Sequence, residues 1–272
     1  MTVISCLISS VGTVHASDSL ITQLDQDGNR IPKEWERSKI VPVRHWRGAM
    51  SYWGLATYDR YGWSIYDWLR EQAQNAATFP GLQEFAIGVA QSIQYRLNQM
   101  AFSSITDAGI GIHFSVYERA SDRWIPELFL ISNFADTNYS SLRPEGVGAT
   151  REAAKLAISD LGVPIDQVKD QRLFVHQYLH SGRFLIFNNG DPIMFNAVAA
   201  GVFTALGTLS ARRNLRELTI DLLSEIVYRP VETVSDLQSQ FARPGTRLVG
   251  GRIHDLVITP TGDMTSRSGD DK

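Results

Sequence analysis

Hydrophobic and polar positions along this chain fall into strand-like and helix-like blocks that come in pairs. Residues 3–17 read as two short strands meeting near Gly12, where glycine supplies the tight turn of a hairpin. Residues 23–37 are polar and charged, contain Gly28 and Pro32, and predict a loop. The runs Lys39-Ile40-Val41-Pro42-Val43 and Gly48-Ala49-Met50-Ser51 predict a second strand pair.

Helical periodicity follows. Ile65, Trp68 and Leu69 stand at i, i+3 and i+4, so three large side chains share one face. Leu82, Phe85, Ala86, Val89, Ile93 and Leu97 hold the same period for longer, entered through Pro80-Gly81. Runs at 109–117 and 124–134 predict strands joined by a turn at Ser121-Asp122, and a short helix over 151–161 would end at Gly162-Val163-Pro164. Further strands are expected at 173–178 and 183–187, with Asn188-Asn189-Gly190-Asp191 as a turn. A second helix pair is expected at 198–210 and 215–227. There Leu215, Leu218, Leu222 and Ile226 share a face, and Pro230 ends the helix. Gly250-Gly251, a strand at 253–259 and a turn at 260–262 follow, and residues 263–272 read as a polar, disordered tail.

Helices in consecutive pairs between groups of strands argue against a doubly wound parallel sheet and for an α+β fold. Two sheets sandwiched between two helix pairs would bury every apolar face. No internal repeat or break in composition divides residues 1–262, which read as a single domain.

Composition removes some functions from the picture. A chain of 272 residues that is 43% hydrophobic can fill a substantial core. With 26 basic against 29 acidic residues, charge gives no case for nucleic acid or an anionic membrane surface. The one cysteine, Cys6, forms no internal disulfide and fits a reducing compartment. The apolar start is too short for a bilayer and lacks a basic n-region, so a cytoplasmic protein is expected. His176 and His180, four apart on an expected strand, do not share the face a metal would need. No metal or cofactor is expected.

The two ends of the chain carry a resemblance. Thr2-Val3-Ile4-Ser5, followed by Val14-His15-Ala16-Ser17-Asp18-Ser19-Leu20-Ile21-Thr22, is similar to the opening of proteasome β-subunits. Lys39, in Ser38-Lys39-Ile40-Val41-Pro42-Val43, resembles the strand that carries the catalytic lysine of that family. Gly48-Ala49-Met50-Ser51 resembles the strand leading to the oxyanion loop, and residues 250–262 resemble the last strand. The resemblance implies a four-layer αββα sandwich of N-terminal nucleophile hydrolase type. It implies Thr2 as nucleophile once Met1 is removed, with Asp18 and Lys39 beside it. It further implies a backbone N–H of Tyr52 or Gly54 at the oxyanion, substrate contacts at Thr22 and Met50, and assembly into a homo-oligomeric ring, with an ATP-driven unfoldase as an optional partner.

The chemistry suits those residue types. A threonine hydroxyl needs a base, and an N-terminal threonine carries one in its own α-amine, which titrates at roughly 7.7–8.0 when unperturbed. A lysine ammonium nearby lowers the pKa of its neighbours, and an aspartate holds the lysine in place. The expected activity is that of a threonine-type peptidase acting on peptide or protein. A small-molecule or specialised peptide amidase, and an inactive scaffold or assembly protein, are the alternatives. Departures from the family pattern lie around this set. Val198-Ala199-Ala200-Gly201-Val202 is expected to replace the family's serine-bearing stretch at the start of the third helix, with Ala200 in the serine's place. Thr246-Arg247-Leu248-Val249 stands for an Asp-x-x-Ser stretch, and Leu20 for an arginine.

Overall fold

Gly12 is where the chain first turns back on itself. The Ser9 hydroxyl accepts from Gly12 N–H (3.1 Å) and donates to the Gly12 carbonyl (2.7 Å), and a Cβ there would collide with Ile220. The turn sets β1 (Val3–Ser9) against β2 (Thr13–Asp18) in the antiparallel register Cys6↔His15. The computed structural model describes residues 2–24, 30–102, 108–120, 122–134, 136, 138–145, 151–190, 192–211, 219–243, 247 and 249–267.

After β2 come β3 (Leu20–Leu24) and β4 (Arg30–Glu36), then β5 (Ile40–Val43) and β6 (Gly48–Gly54). A short ribbon, β7 (Thr57–Tyr58) with β8 (Trp63–Ser64), leads into α1 (Ile65–Gln74) and α2 (Leu82–Asn98). Next are β9 (Ile110–Ala120), β10 (Arg123–Ser132), β11 (Arg143–Glu145), α3 (Arg151–Leu161) and α4 (Gln171–His180). The chain continues through β12 (Phe184–Gly190), α5 (Pro192–Ala211), α6 (Ile220–Phe241), β13 (Ile253–Ile258) and β14 (Met264–Thr265). The fold is α+β. One five-stranded sheet has the order β12-β1-β2-β13-β14 and the other β11-β10-β9-β6-β5, with antiparallel ladders throughout.

Alternation along the strands decides what each face meets. Met50, Tyr52, Phe114 and Phe129 turn to α1 and α2, where they join Ile65, Leu69, Phe85 and Val89. Val3, Leu7, Val14 and Ala16 turn to α5 and α6. Cys6 and Ile8 lie with Leu128 under α3 and α4. The remaining sheet faces meet each other: Ile40 and Ala49 pack with Leu256 and Ile258. A polar bridge crosses the same gap. His15 Nδ1 lies 2.8 Å from Ser51 Oγ and Nε2 lies 2.6 Å from Ser115 Oγ, and the Tyr117 hydroxyl donates to the Ser9 carbonyl.

Several elements differ from the sequence expectation. Residues 23–37, expected as a loop, hold β4 and the end of β3, since a two-stranded ribbon needs no buried face and leaves little periodicity to read. Residues 173–178 are helical, not extended: Asp170 caps α4 by accepting from Leu173 N–H, and Val175, Tyr178 and Leu179 are its buried side. The stretch 188–190 belongs to β12 rather than to a turn, and α5 starts at Pro192, a full turn and more before residue 198. Pro230 lies inside α6 instead of ending it. An internal proline costs a helix about 3 kcal/mol. Val227, Val231 and Val234, wholly buried against the sheet at about 1.5–3 kcal/mol each, outweigh that. Leu215 and Leu218 lie outside the described residues. The expected tail is partly structured: Met264 pairs with Ile258, and Arg267 binds Asp255. Among the described residues no helix is long and apolar enough to cross a membrane.

The wholly buried His15 and His113 give this fold an acid limit. Burial pulls both imidazoles down to about 3, from an ordinary value of 6.5, and neighbouring His15 adds to the effect on His113. The unfolded chain thus binds protons below 6.5 that the folded chain refuses. Stability is expected to fall as pH drops from 6.5 towards 3, by about 1.4 kcal/mol per pH unit for each histidine. NMR titration should find both rings neutral at about pH 4.5 while the urea midpoint has already dropped. Rings that titrate near their ordinary value would contradict this.

Candidate active site

Thr2 stands directly ahead of β1, Asp18 closes β2, and Lys39 stands directly ahead of β5. These three positions are 16 and 21 residues apart in sequence, since 18 − 2 and 39 − 18 give those steps. The antiparallel hairpin brings the start of β1 alongside the end of β2, with Ile4 opposite Ser17. Lys39 reaches across from the second sheet. Its Nζ lies 2.6 Å from Thr2 Oγ1, 2.9 Å from Asp18 Oδ1 and 2.8 Å from the Leu20 carbonyl.

An ammonium has three N–H donors and no acceptor. All three are used here, so Thr2 Oγ1 accepts from Lys39 and its own proton is free to go elsewhere. Asp18 is equally occupied: Oδ1 also accepts from Val3 N–H (2.9 Å) and Oδ2 from Gly250 N–H (3.1 Å). Thr2 is 7% exposed, Lys39 1% and Asp18 not at all. Burial pulls the Lys39 amine below its ordinary value, and the Asp18 carboxylate opposes that fall. A buried charge pair survives only when such hydrogen bonds are complete.

Glycine fits the cluster at two places. Gly190 has φ 117°, and a Cβ there would lie 1.4 Å from the Thr2 carbonyl oxygen, so only glycine lets β12 press against the Thr2 backbone. Gly250 has φ 154°, and its carbonyl accepts from Ser19 and Leu20 N–H while its own N–H goes to Asp18. Arg247 lies against Gly250 where a side chain would be, with its Nε donating to the Val249 carbonyl (3.1 Å).

The other expected positions fare differently. Tyr52 N–H donates to the Lys39 carbonyl (3.2 Å), so it is committed to the β5–β6 ladder rather than presented to an oxyanion. Gly54 ends β6 with φ 90° and is exposed. Met50 is wholly buried in the core under α1 and α2. Thr22 lies on β3, and its side chain lies outside the described residues. Ala200 is exposed in the interior of α5, so it does not open that helix. The segment in that place is β12's end at Asn189-Gly190, and Asp191 after it lies outside the described residues. Thr246 also lies outside them, and Val249 is buried with its N–H on Gln238 Oε1 (2.9 Å).

Some contributors escaped the sequence altogether. Leu20 acts through its carbonyl, Gly190 through the absence of a side chain, and Gln238 by holding the loop before Gly250. None of these has a residue-type signal beyond the glycines. His176 and His180 do share a helix, but His176 binds the buried Glu127 (2.9 Å) and His180 lies by Arg123 (3.3 Å). Among the described residues no cluster of His, Cys, Asp or Glu is placed to hold a metal. A cleft of about 800 Å³ is lined by Thr219, Asp221, Ser224, Asp255 and Arg267, and includes none of the Thr2 cluster. No protein-family model matches this sequence, and no curated protein matches it either.

Removing either support should be costly. Asp18→Asn would leave a buried ammonium without its carboxylate and is expected to lower the unfolding free energy by about 3–5 kcal/mol. Gly190→Ala, strained at a positive φ and with its Cβ against the Thr2 carbonyl, should cost more than backbone strain alone, which is about 1–3 kcal/mol. Urea titration measures both, and an Asp18→Asn chain as stable as wild type would show that no buried charge pair forms.

Proposed function

We propose that this chain is a proteasome-like N-terminal nucleophile hydrolase that cleaves amide bonds through Thr2 after Met1 is removed. The supporting fold reading is a four-layer αββα sandwich. It draws on two sheets that face each other through the His15 bridge and Ile40–Leu256 contacts, with α1 and α2 behind one and α5 and α6 behind the other. The observation that carries the function is the 2.6 Å contact between Lys39 Nζ and Thr2 Oγ1, with Asp18 completing it.

The reaction follows from these groups. With Met1 gone, the α-amine of Thr2 is the base: it takes the Oγ proton as Oγ attacks the acyl carbon. Lys39, already donating to Oγ, stabilises the oxygen as its proton departs. When the tetrahedral intermediate collapses, the C–N bond breaks and the α-ammonium returns the proton to the leaving amine. Water then cleaves the Thr2 ester by the same base. Asp18 holds Lys39 in position and never exchanges a proton. Peptide and protein amides are the substrate class this reading assigns, and a self-assembled ring is the form of assembly it implies.

Hydrolysis of fluorogenic peptide amides tests the assignment. Thr2→Ala should abolish turnover. Lys39→Ala should reduce kcat by about 10³-fold or more, in line with the loss of an activating group within hydrogen-bond reach. Turnover that survives Thr2→Ala would refute the reading.

A further inference from the structure

Lys39 has a cross-strand partner that the mechanism above leaves unused. Ile40 pairs with Ser51, and the Tyr52 N–H donates to the Lys39 carbonyl, so Tyr52 and Lys39 stand directly opposite each other. Opposed residues of an antiparallel pair send their side chains to the same face, with Cβ atoms about 4.5–5.5 Å apart. The Tyr52 ring and the Lys39 side chain therefore leave the sheet together, and Lys39 ends on the nucleophile. Tyr52 is 1% exposed, and its hydroxyl is buried with no hydrogen-bond partner among the described residues.

An orphaned hydroxyl in such a place needs a reason. Leaving one buried and unpaired costs about 1–3 kcal/mol, and phenylalanine would fill the same space without that cost. The ionisable groups that act on it are Tyr66, Arg37, Asp67 and Asp18; Arg37 and Asp67 are bonded to each other at 2.8 Å, and Asp18 to Lys39 at 2.9 Å. Its backbone N–H, the other donor this residue could offer, is held by Lys39. Resting on the threonine-hydrolase reading, we infer that the Tyr52 hydroxyl is a hydrogen-bond donor kept for the acyl oxygen of the bound substrate. Burial raises the phenol above its ordinary value, so the hydroxyl keeps its proton through the working range. The oxygen to be stabilised becomes negative as Thr2 attacks. A neutral donor from a dry, apolar wall of Ile65, Trp68 and Leu69 suits it, because low dielectric strengthens the bond.

The test compares the full-length wild type with Tyr52→Phe, using a small β-lactone as the acylating probe. Attack by Thr2 opens the lactone: the Thr2 ester forms, the ring C–O bond breaks, and the new hydroxyl takes the proton. The Tyr52→Phe rate constant is expected to fall about 10²-fold, the usual effect of losing one oxyanion donor. Its melting temperature should hold or rise by ~2 °C, since an unpaired buried group has gone. Equal rates in the two chains would overturn the inference while leaving Thr2 as nucleophile. A rate that falls together with the melting temperature would assign the hydroxyl to packing and also overturn it. A wild type that takes no lactone at Thr2 would remove the threonine-hydrolase reading, and this inference with it.

Discussion

The buried pair of Lys39 and Asp18 is the constraint to which the rest of the molecule answers. Moving two charges out of water costs several kcal/mol per ion, and their attraction recovers it only with every donor and acceptor occupied. The fold meets that condition from four places along the chain, one of which, the start of β1, contributes twice through Thr2 and Val3. β1 supplies Val3 N–H, β2 the carboxylate, β3 the Leu20 carbonyl, the chain before β13 Gly250 N–H, and Thr2 the last acceptor. These places belong to the first sheet and to the β3–β4 ribbon, while Lys39 comes from the start of β5 in the second sheet, so the packing of one sheet on the other sets the geometry at Thr2. The His15 bridge to Ser51 and Ser115 performs the corresponding task deeper between the sheets, where a neutral ring ties β2 to β6 and β9.

How much of this could be read from the residues depended on whether a signal lay in a side chain. Thr2, Asp18 and Lys39 carry functional groups that the sequence itself displays. The structure brings Thr2 and Asp18 within hydrogen-bond distance of the Lys39 ammonium. α1 and α2 were legible because their buried faces keep the helical period. α4 was not: Leu173, Phe174 and Val175 are apolar neighbours that look extended, and only the Asp170 cap and the burial of Val175, Tyr178 and Leu179 reveal the helix. At Pro230 the local rule that proline ends a helix meets a tertiary contact strong enough to override it.

The contributors hidden from sequence work through the backbone. Gly190 contributes the absence of a Cβ against Thr2, Leu20 contributes a carbonyl, and Tyr52 loses its N–H to the ladder that positions Lys39. Ala200 lies well inside α5, because the helix begins at Pro192, and the neighbour of the Thr2–Val3 backbone is the strand end before it. What the side chains alone do not reveal is how the Thr2 backbone is packed.

The role proposed for Thr2 is that of a nucleophile freed of Met1 and activated by Lys39. Mass spectrometry of the purified chain after exposure to a β-lactone addresses it most directly. The account predicts a chain lacking its initiator methionine, with a single adduct that fragment ions locate on Thr2. A chain that keeps Met1, or an adduct placed on any other residue, would contradict it.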